Sequence, residues 1–191
     1  MSTRVAVISN SASVDSRFQF DLIDITYKYL IDLESPHHKP RFLHKVNQKI
    51  DEPMLQDISS YITTFKGRLT VILMLGEYDV SMCSSPMAVA GRIEMVINCI
   101  LKKRTQKIHI IVVGLIPPHE QFLRKDYDET DAQISLMLGR HKARKRLTFV
   151  RLSQHLREKK AYRQQFELSD HGLEVVIAKL AVALSEVPDR H

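Results

Sequence analysis

Two runs of the sequence, residues 69–75 (LTVILML) and 108–113 (IHIIVV), carry apolar and β-branched side chains without alternation. A strand with one wet face alternates, whereas a strand covered on both faces reads as a continuous apolar run, and covering both faces of a sheet calls for helices on either side. These runs therefore predict the centre of a parallel sheet. Three further runs read as strands: residues 4–8, a weaker 41–46, and 147–152. Segments of helical period separate all five, the signature of βαβ units. Short right-handed crossovers leave one common solution at this length, a three-layer α/β/α sandwich with a five-stranded parallel sheet in the flavodoxin-like order 2-1-3-4-5.

The helices follow from spacing and end signals. Residues 17–33 place Phe18, Leu22, Ile25, Tyr29 and Leu33 on one stripe, and prolines at 36 and 40 stop the helix. Residues 52–65 bury Leu55, Ile58 and Ile62, with Gly67 as the expected C-cap. Ser84-Ser85-Pro86 opens a third helix that ends in Lys102-Lys103-Arg104, because a serine N-cap before a proline at the first helical position is a strong start signal. A fourth helix is predicted over 128–143 around Ile134, Met137 and Leu138, and a fifth from Ser169 as N-cap to residue 187. No repeat or linker interrupts the pattern, so residues 1–191 read as one domain.

With 44% hydrophobic and 26% charged residues the chain can bury a sizeable core. Its apolar runs fall far short of the roughly 20 residues that span a bilayer, and no charged-then-apolar leader opens it, so a soluble, cytoplasmic protein is expected. Cys83 and Cys99 are read as lying in one helix about 24 Å apart, too far to pair. Met74, Met82, Met87 and Met95 are read as core packing. No metal site or cofactor is expected, since His37-His38 lacks partners at ligand spacing and both phosphate-binding glycine motifs are missing.

In an open α/β sheet ligands bind beyond the carboxyl ends of the strands. The loops there read Ser9-Asn10-Ser11, Gly76-Glu77-Tyr78-Asp79 and Gly114-Leu115-Ile116-Pro117-Pro118. In order and position they resemble the SGNH (GDSL-like) hydrolases, whose first strand ends in Gly-Asp-Ser, whose third ends in Gly-x-Asn-Asp, and whose last helix follows Asp-x-x-His. The resemblance spans nearly the whole chain and puts Ser11 at the nucleophile. It also puts Tyr78 where the family has an oxyanion-binding asparagine, finds Lys45-Val46-Asn47-Gln48 where a donor glycine is expected, and, with Leu168-Ser169-Asp170-His171-Gly172 opening the last helix, places Gln164 and Glu167 where the aspartate and histidine belong. A serine without an oriented imidazole is a weak nucleophile, so the catalytic set reads as degenerate at Ser11, Tyr78, Gln164 and Glu167 and a non-catalytic domain is expected. His171 is adjacent to Asp170 rather than oriented by it, and Asp170 is expected to serve the helix N-terminus.

The charge points the same way. Lysine and arginine exceed aspartate and glutamate by 28 to 22, giving +6, and the pI is near 9.3. The cations cluster at Lys39 and Arg41, at Lys102, Lys103, Arg104 and Lys107, at Arg140, Lys142, Arg144, Lys145 and Arg146, and at Arg157, Lys159, Lys160 and Arg163. The first three groups occupy αβ connections, which emerge at the amino ends of parallel strands, so they are expected to share one edge. Although cations in a last helical turn also serve the macrodipole, three groups on one edge predict phosphate-directed, salt-dependent RNA binding with little base stacking, there being no tryptophan. A basic, catalytically degenerate SGNH-like domain is similar to the Oskar-type C-terminal domains of insect germ-plasm organisers. That resemblance implies messenger RNA, through its untranslated regions, as partner, other germ-plasm proteins as further partners, a germ-plasm location and a monomer. The alternatives are an active serine esterase or acetylhydrolase using Ser11, and a scaffold for an acidic protein.

Overall fold

The structure, a computed structural model, describes residues 3–11, 16–32, 39–103, 108–164 and 167–187. Five strands, β1 (Thr3–Ser9), β2 (Arg41–His44), β3 (Arg68–Met74), β4 (Ile108–Val113) and β5 (Leu147–Val150), form one sheet in the order β2-β1-β3-β4-β5. Every pairing is parallel, with Val7 opposite Ile72 and Ile111 opposite Thr148 in register. The predicted architecture is the one observed.

Six helices cover the two faces: α1 (Ser16–Asp32), α2 (Glu52–Thr63), α3 (Glu77–Ser81), α4 (Pro86–Lys103), α5 (Gln121–Arg140) and α6 (Asp170–Ser185). Alternate residues of the central strands enter opposite cores. Leu69, Val71, Leu73, Ile110 and Val112 pack with α2, α4 and α5, while Ile72, Met74, Ile111 and Val113 pack with α1 and α6. Both sets are buried, which is why the sequence shows no alternation there, and each fully buried Leu or Ile contributes about 1.5–3 kcal/mol.

Helix ends carry the expected chemistry with two differences. Ser85 Oγ accepts from Ala88 N–H and Ser169 Oγ from Gly172 N–H, each at the start of its helix. Asp51 caps α2 by accepting from Met54 N–H at 3.1 Å. Gly67 is not that helix's C-cap: α2 stops at Thr63, and Gly67, at φ 79°, instead turns the chain into β3. Helix α5 begins at Gln121 rather than near residue 128, because the polar Thr130 and Asp131, buried between Tyr127 and Ile134, interrupt the apolar spacing that periodicity registers.

Two other expectations are corrected. Cys83 is not helical; it sits exposed in a turn at φ 57° before α4, while Cys99 lies half-buried within α4, and both are free thiols. Of the methionines assigned to the core only Met74 is buried; Met82, Met87 and Met95 are 59%, 72% and 53% exposed, since the buried stripe of α4 runs through Val89, Ile93, Val96 and Ile97. Among the described residues no helix is long and apolar enough to cross a membrane.

Candidate active site

The carboxyl end of β1 runs directly into Asn10 and Ser11, both buried. Asn10 is held from three sides: its N–H donates to Met74 O, its Nδ2 donates to Gln48 O at 2.8 Å, and its Oδ1 accepts from Gly76 N–H at 3.1 Å. One side chain thus joins the loops that follow β1, β2 and β3. Gly76 takes φ 109°, and a Cβ there would stand 2.9 Å from a Val89 methyl, so only glycine makes this turn from β3 into α3.

That turn delivers Glu77. Its Oε2 accepts the Ser11 hydroxyl proton at 2.5 Å and its Oε1 accepts Ile116 N–H at 3.1 Å, so the carboxyl faces inward between the first, third and fourth strand ends. Burial raises its pKa to about 7, and the Asp131 charge adds to that rise, against the Ser11 and Ile116 hydrogen bonds, which favour the ionised form. A carboxylate that titrates near neutrality and already holds a serine proton is suited to general-base work.

Around this pair the loops are tied together. Asp131, fully buried on α5, accepts Leu115 N–H at 2.9 Å, and burial raises its pKa to about 6. Tyr162, beyond β5, donates to Pro117 O at 2.8 Å or Leu156 O at 2.9 Å. Arg124 donates to Pro118 O at 2.8 Å and to the Tyr162 hydroxyl at 3.0 Å, and the His119 ring meets Tyr162 edge-on at 5.7 Å. Backbone donors near Ser11 are already engaged: Ser11 N–H donates to Ser9 Oγ at 3.1 Å, and Gly76 N–H to Asn10. Where the family has a donor glycine, Asn47 adopts φ 57°, a glycine-like conformation that asparagine tolerates.

Of the positions singled out from sequence, the structure brings Ser11 against a carboxylate, but one drawn from elsewhere. Gln164 and Glu167 are exposed, with Glu167 facing Arg163 at 3.9 Å, and His171 is exposed on the first turn of α6. Tyr78 is half-buried on α3, beside Glu77. Asp79, at the motif's aspartate, is buried and structural: it accepts Ile50 N–H and pairs with Arg92 at 2.7 Å. Glu77 occupies the variable position of Gly-x-Asn-Asp, so no motif marks it. The one available signal was an acidic side chain in a loop at the carboxyl end of a central strand.

The cations divide between the two ends of the sheet. Arg41 lies over the Phe65 and Tyr61 rings at 4.9 and 5.6 Å. Lys39, Lys102, Lys103, Arg140, Lys142, Arg144 and Lys145 are exposed and Arg146 is half-buried, whereas Arg104 and Lys107 lie outside the described residues. In the group beyond β5, Lys160 pairs with Glu158 at 2.8 Å, and Arg163 and Arg17 both engage Asp170. Arg157 and Lys159 are exposed there. Among the described residues no group of three or more His, Cys, Asp or Glu could hold a metal ion.

No family model matches the chain, and no curated protein matches it in sequence. In structure it is similar to a carbohydrate esterase family 3 protein from Talaromyces cellulolyticus, at TM-score 0.75 and 11% identity over 97% of each chain. A mutant acetyl esterase solved with acetate ion gives 0.73 and 12%, again over 97% of each chain. A GDSL-like lipase from Bacteroides thetaiotaomicron VPI-5482 gives 0.66 and 14% over 97% of this chain and 89% of that one. The fold is that of the SGNH, or GDSL-like, hydrolases.

The expectation of a non-catalytic, RNA-binding domain is corrected on these findings. The similar structures are esterases and a lipase, and nothing in them points to RNA. The degenerate reading rests on Gln164 and Glu167 before the last helix and on His171 within it, whereas in the structure the Ser11 hydroxyl meets a carboxylate from the end of β3.

Proposed function

We propose that the chain hydrolyses acyl esters with Ser11 as nucleophile and Glu77 as general base. The observation that carries this reading is the Ser11 hydroxyl donating to the Glu77 carboxylate at 2.5 Å, at the strand ends where an open α/β sheet places its ligands. Ser11 Oγ attacks the acyl carbon as Glu77 Oε2 takes the hydroxyl proton. The C–O bond to the alcohol breaks, the alcohol leaves with that proton, and an acyl-Ser11 ester remains. Water, deprotonated in turn by Glu77, cleaves that ester and releases the carboxylic acid. A short acyl group is favoured by the likeness to an acetyl esterase and a carbohydrate esterase. The Oskar-type resemblance rests on the basic edge, on Tyr78, Gln164 and Glu167 and on chain length, none of which enters this chemistry.

Two features make the enzyme slow. Ser11 is 1% exposed, so a carbonyl reaches Oγ only after neighbouring groups move aside. The nearby N–H groups are already paired, and want of one oxyanion donor costs a factor of about 100 to 1,000 in rate. The test is p-nitrophenyl acetate hydrolysis together with mass-spectrometric mapping of a fluorophosphonate adduct. Turnover and an adduct on Ser11, both lost in Ser11→Ala, with kcat/KM rising to a plateau above about pH 7 and falling about 100-fold or more in Glu77→Gln, support the reading. Turnover that persists in folded Ser11→Ala, or none at all in the native chain, sinks it.

A further inference from the structure

Two consecutive backbone N–H groups beyond β4 are each held by a carboxylate: Leu115 by Asp131 Oδ1 at 2.9 Å and Ile116 by Glu77 Oε1 at 3.1 Å. Asp131 comes from the middle of α5 and is 0% exposed. It is pressed so closely against the loop that a Cβ on Gly114 would stand 2.9 Å from both of its oxygens. A buried carboxylate is costly, and this one lies within range of the ionised Glu77, which it repels. The fold keeps it where an asparagine would make the same hydrogen bond to Leu115 without the charge.

We propose that Asp131 is a positioning residue of the Ser11–Glu77 site: from α5 it fixes the 114–116 segment, whose Ile116 N–H holds the Glu77 carboxylate against Ser11, and its charge strengthens Glu77 as a base. For catalysis this rests on the hydrolase reading; the effect on Glu77 itself does not. Glu77 is faced by Ser11 from the β1 loop, by Ile116 N–H from the β4 loop, by Asp131 and Tyr127 from α5, and by Tyr162 from beyond β5. Of these only Asp131 brings a second negative charge near neutral pH. Arg151 and Ser153, beyond β5, together with the Leu115 hydrogen bond favour its ionised form, and Asp128 opposes it.

The test titrates side-chain carboxyl carbons by NMR in 13C-glutamate-labelled protein, with the Glu77 signal assigned by its loss in Glu77→Gln. In Asp131→Asn, which keeps an oxygen for Leu115 N–H, the Glu77 midpoint is expected to fall by about half a pH unit or more. Fluorophosphonate labelling of Ser11 is read at about pH 9, where Glu77 is ionised. In Asp131→Ala, where the Leu115 hydrogen bond is lost, labelling is expected to drop about tenfold. Should Asp131→Ala fail to fold, Asp131→Asn carries the test alone. An unmoved Glu77 midpoint in folded Asp131→Asn, or native labelling in Asp131→Ala, overturns the proposal. A shifted midpoint in a protein whose Ser11 never labels upholds the electrostatic role while the hydrolase reading fails.

Discussion

Glu77→Gln should make the protein more stable at alkaline pH and leave it nearly unchanged at acid pH. Glu77 titrates from an ordinary 4.5 up to about 7 because burial penalises its charge. The raised pKa means that the folded state holds a proton that the unfolded state releases. The favourable contribution is fully present below 4.5 and is lost as pH rises through about 7. A rise of about two and a half pH units corresponds to ~3 kcal/mol, which partial exposure of the residue reduces to roughly 1–2 kcal/mol. Glutamine retains an oxygen for Ile116 N–H and offers an amide to Ser11, so the packing persists while the titration disappears. Urea unfolding of both proteins at pH 5, 6, 7 and 8, with urea chosen because it leaves charge interactions unscreened, measures the effect directly. The native chain should lose stability across this range, Asp131 contributing in the same direction with its rise to about 6, and the variant should lose roughly 1–2 kcal/mol less. Parallel pH profiles for the two proteins would refute the assignment of Glu77 as a buried, proton-holding group.

Two further outcomes test the framework around the site. Gly172→Ala should destabilise by about 2–4 kcal/mol in urea, despite alanine's better helix propensity, because its Cβ would lie 2.2 Å from Ala161 O and 3.0 Å from a Leu168 methyl at the start of α6. Arg92→Leu should cost about 3–5 kcal/mol by leaving the fully buried Asp79 without its cation, and Asp79→Asn in the same chain should recover much of that loss by thermal melting.

The sheet was legible because β3 and β4 bury both faces, so their residues advertise it without context; the strand order then follows from chain geometry alone. Element boundaries were less so. Helix α3 is five residues long and lies inside what reads as a loop, and in α5 the buried but polar Thr130 and Asp131 break the apolar period between Tyr127 and Ile134. The site was half legible. Ser11 stands out at the end of β1, but a base is defined by which side chain reaches a hydroxyl, and 66 residues separate Glu77 from Ser11 in the chain. Gln164 and Glu167 attracted notice because position in a motif was taken for position in space. Similarly, Met87 and Met95 are apolar residues on an amphipathic helix, and only packing against α2 and α5 decides which side faces out.

The amide of Asn10 has a mechanical consequence. Because both ends of one short, buried side chain are committed, to Gln48 on one side and Gly76 on the other, the segments following β1, β2 and β3 are fastened at a single rivet. Withdrawing Asn10 breaks both of these bonds at once, whereas withdrawing either partner breaks one, so the rim around Ser11 is held through this single amide. The Gly76 amide hydrogen, buried against Asn10, exchanges with solvent only when that bond opens, which makes it a reporter on the tie.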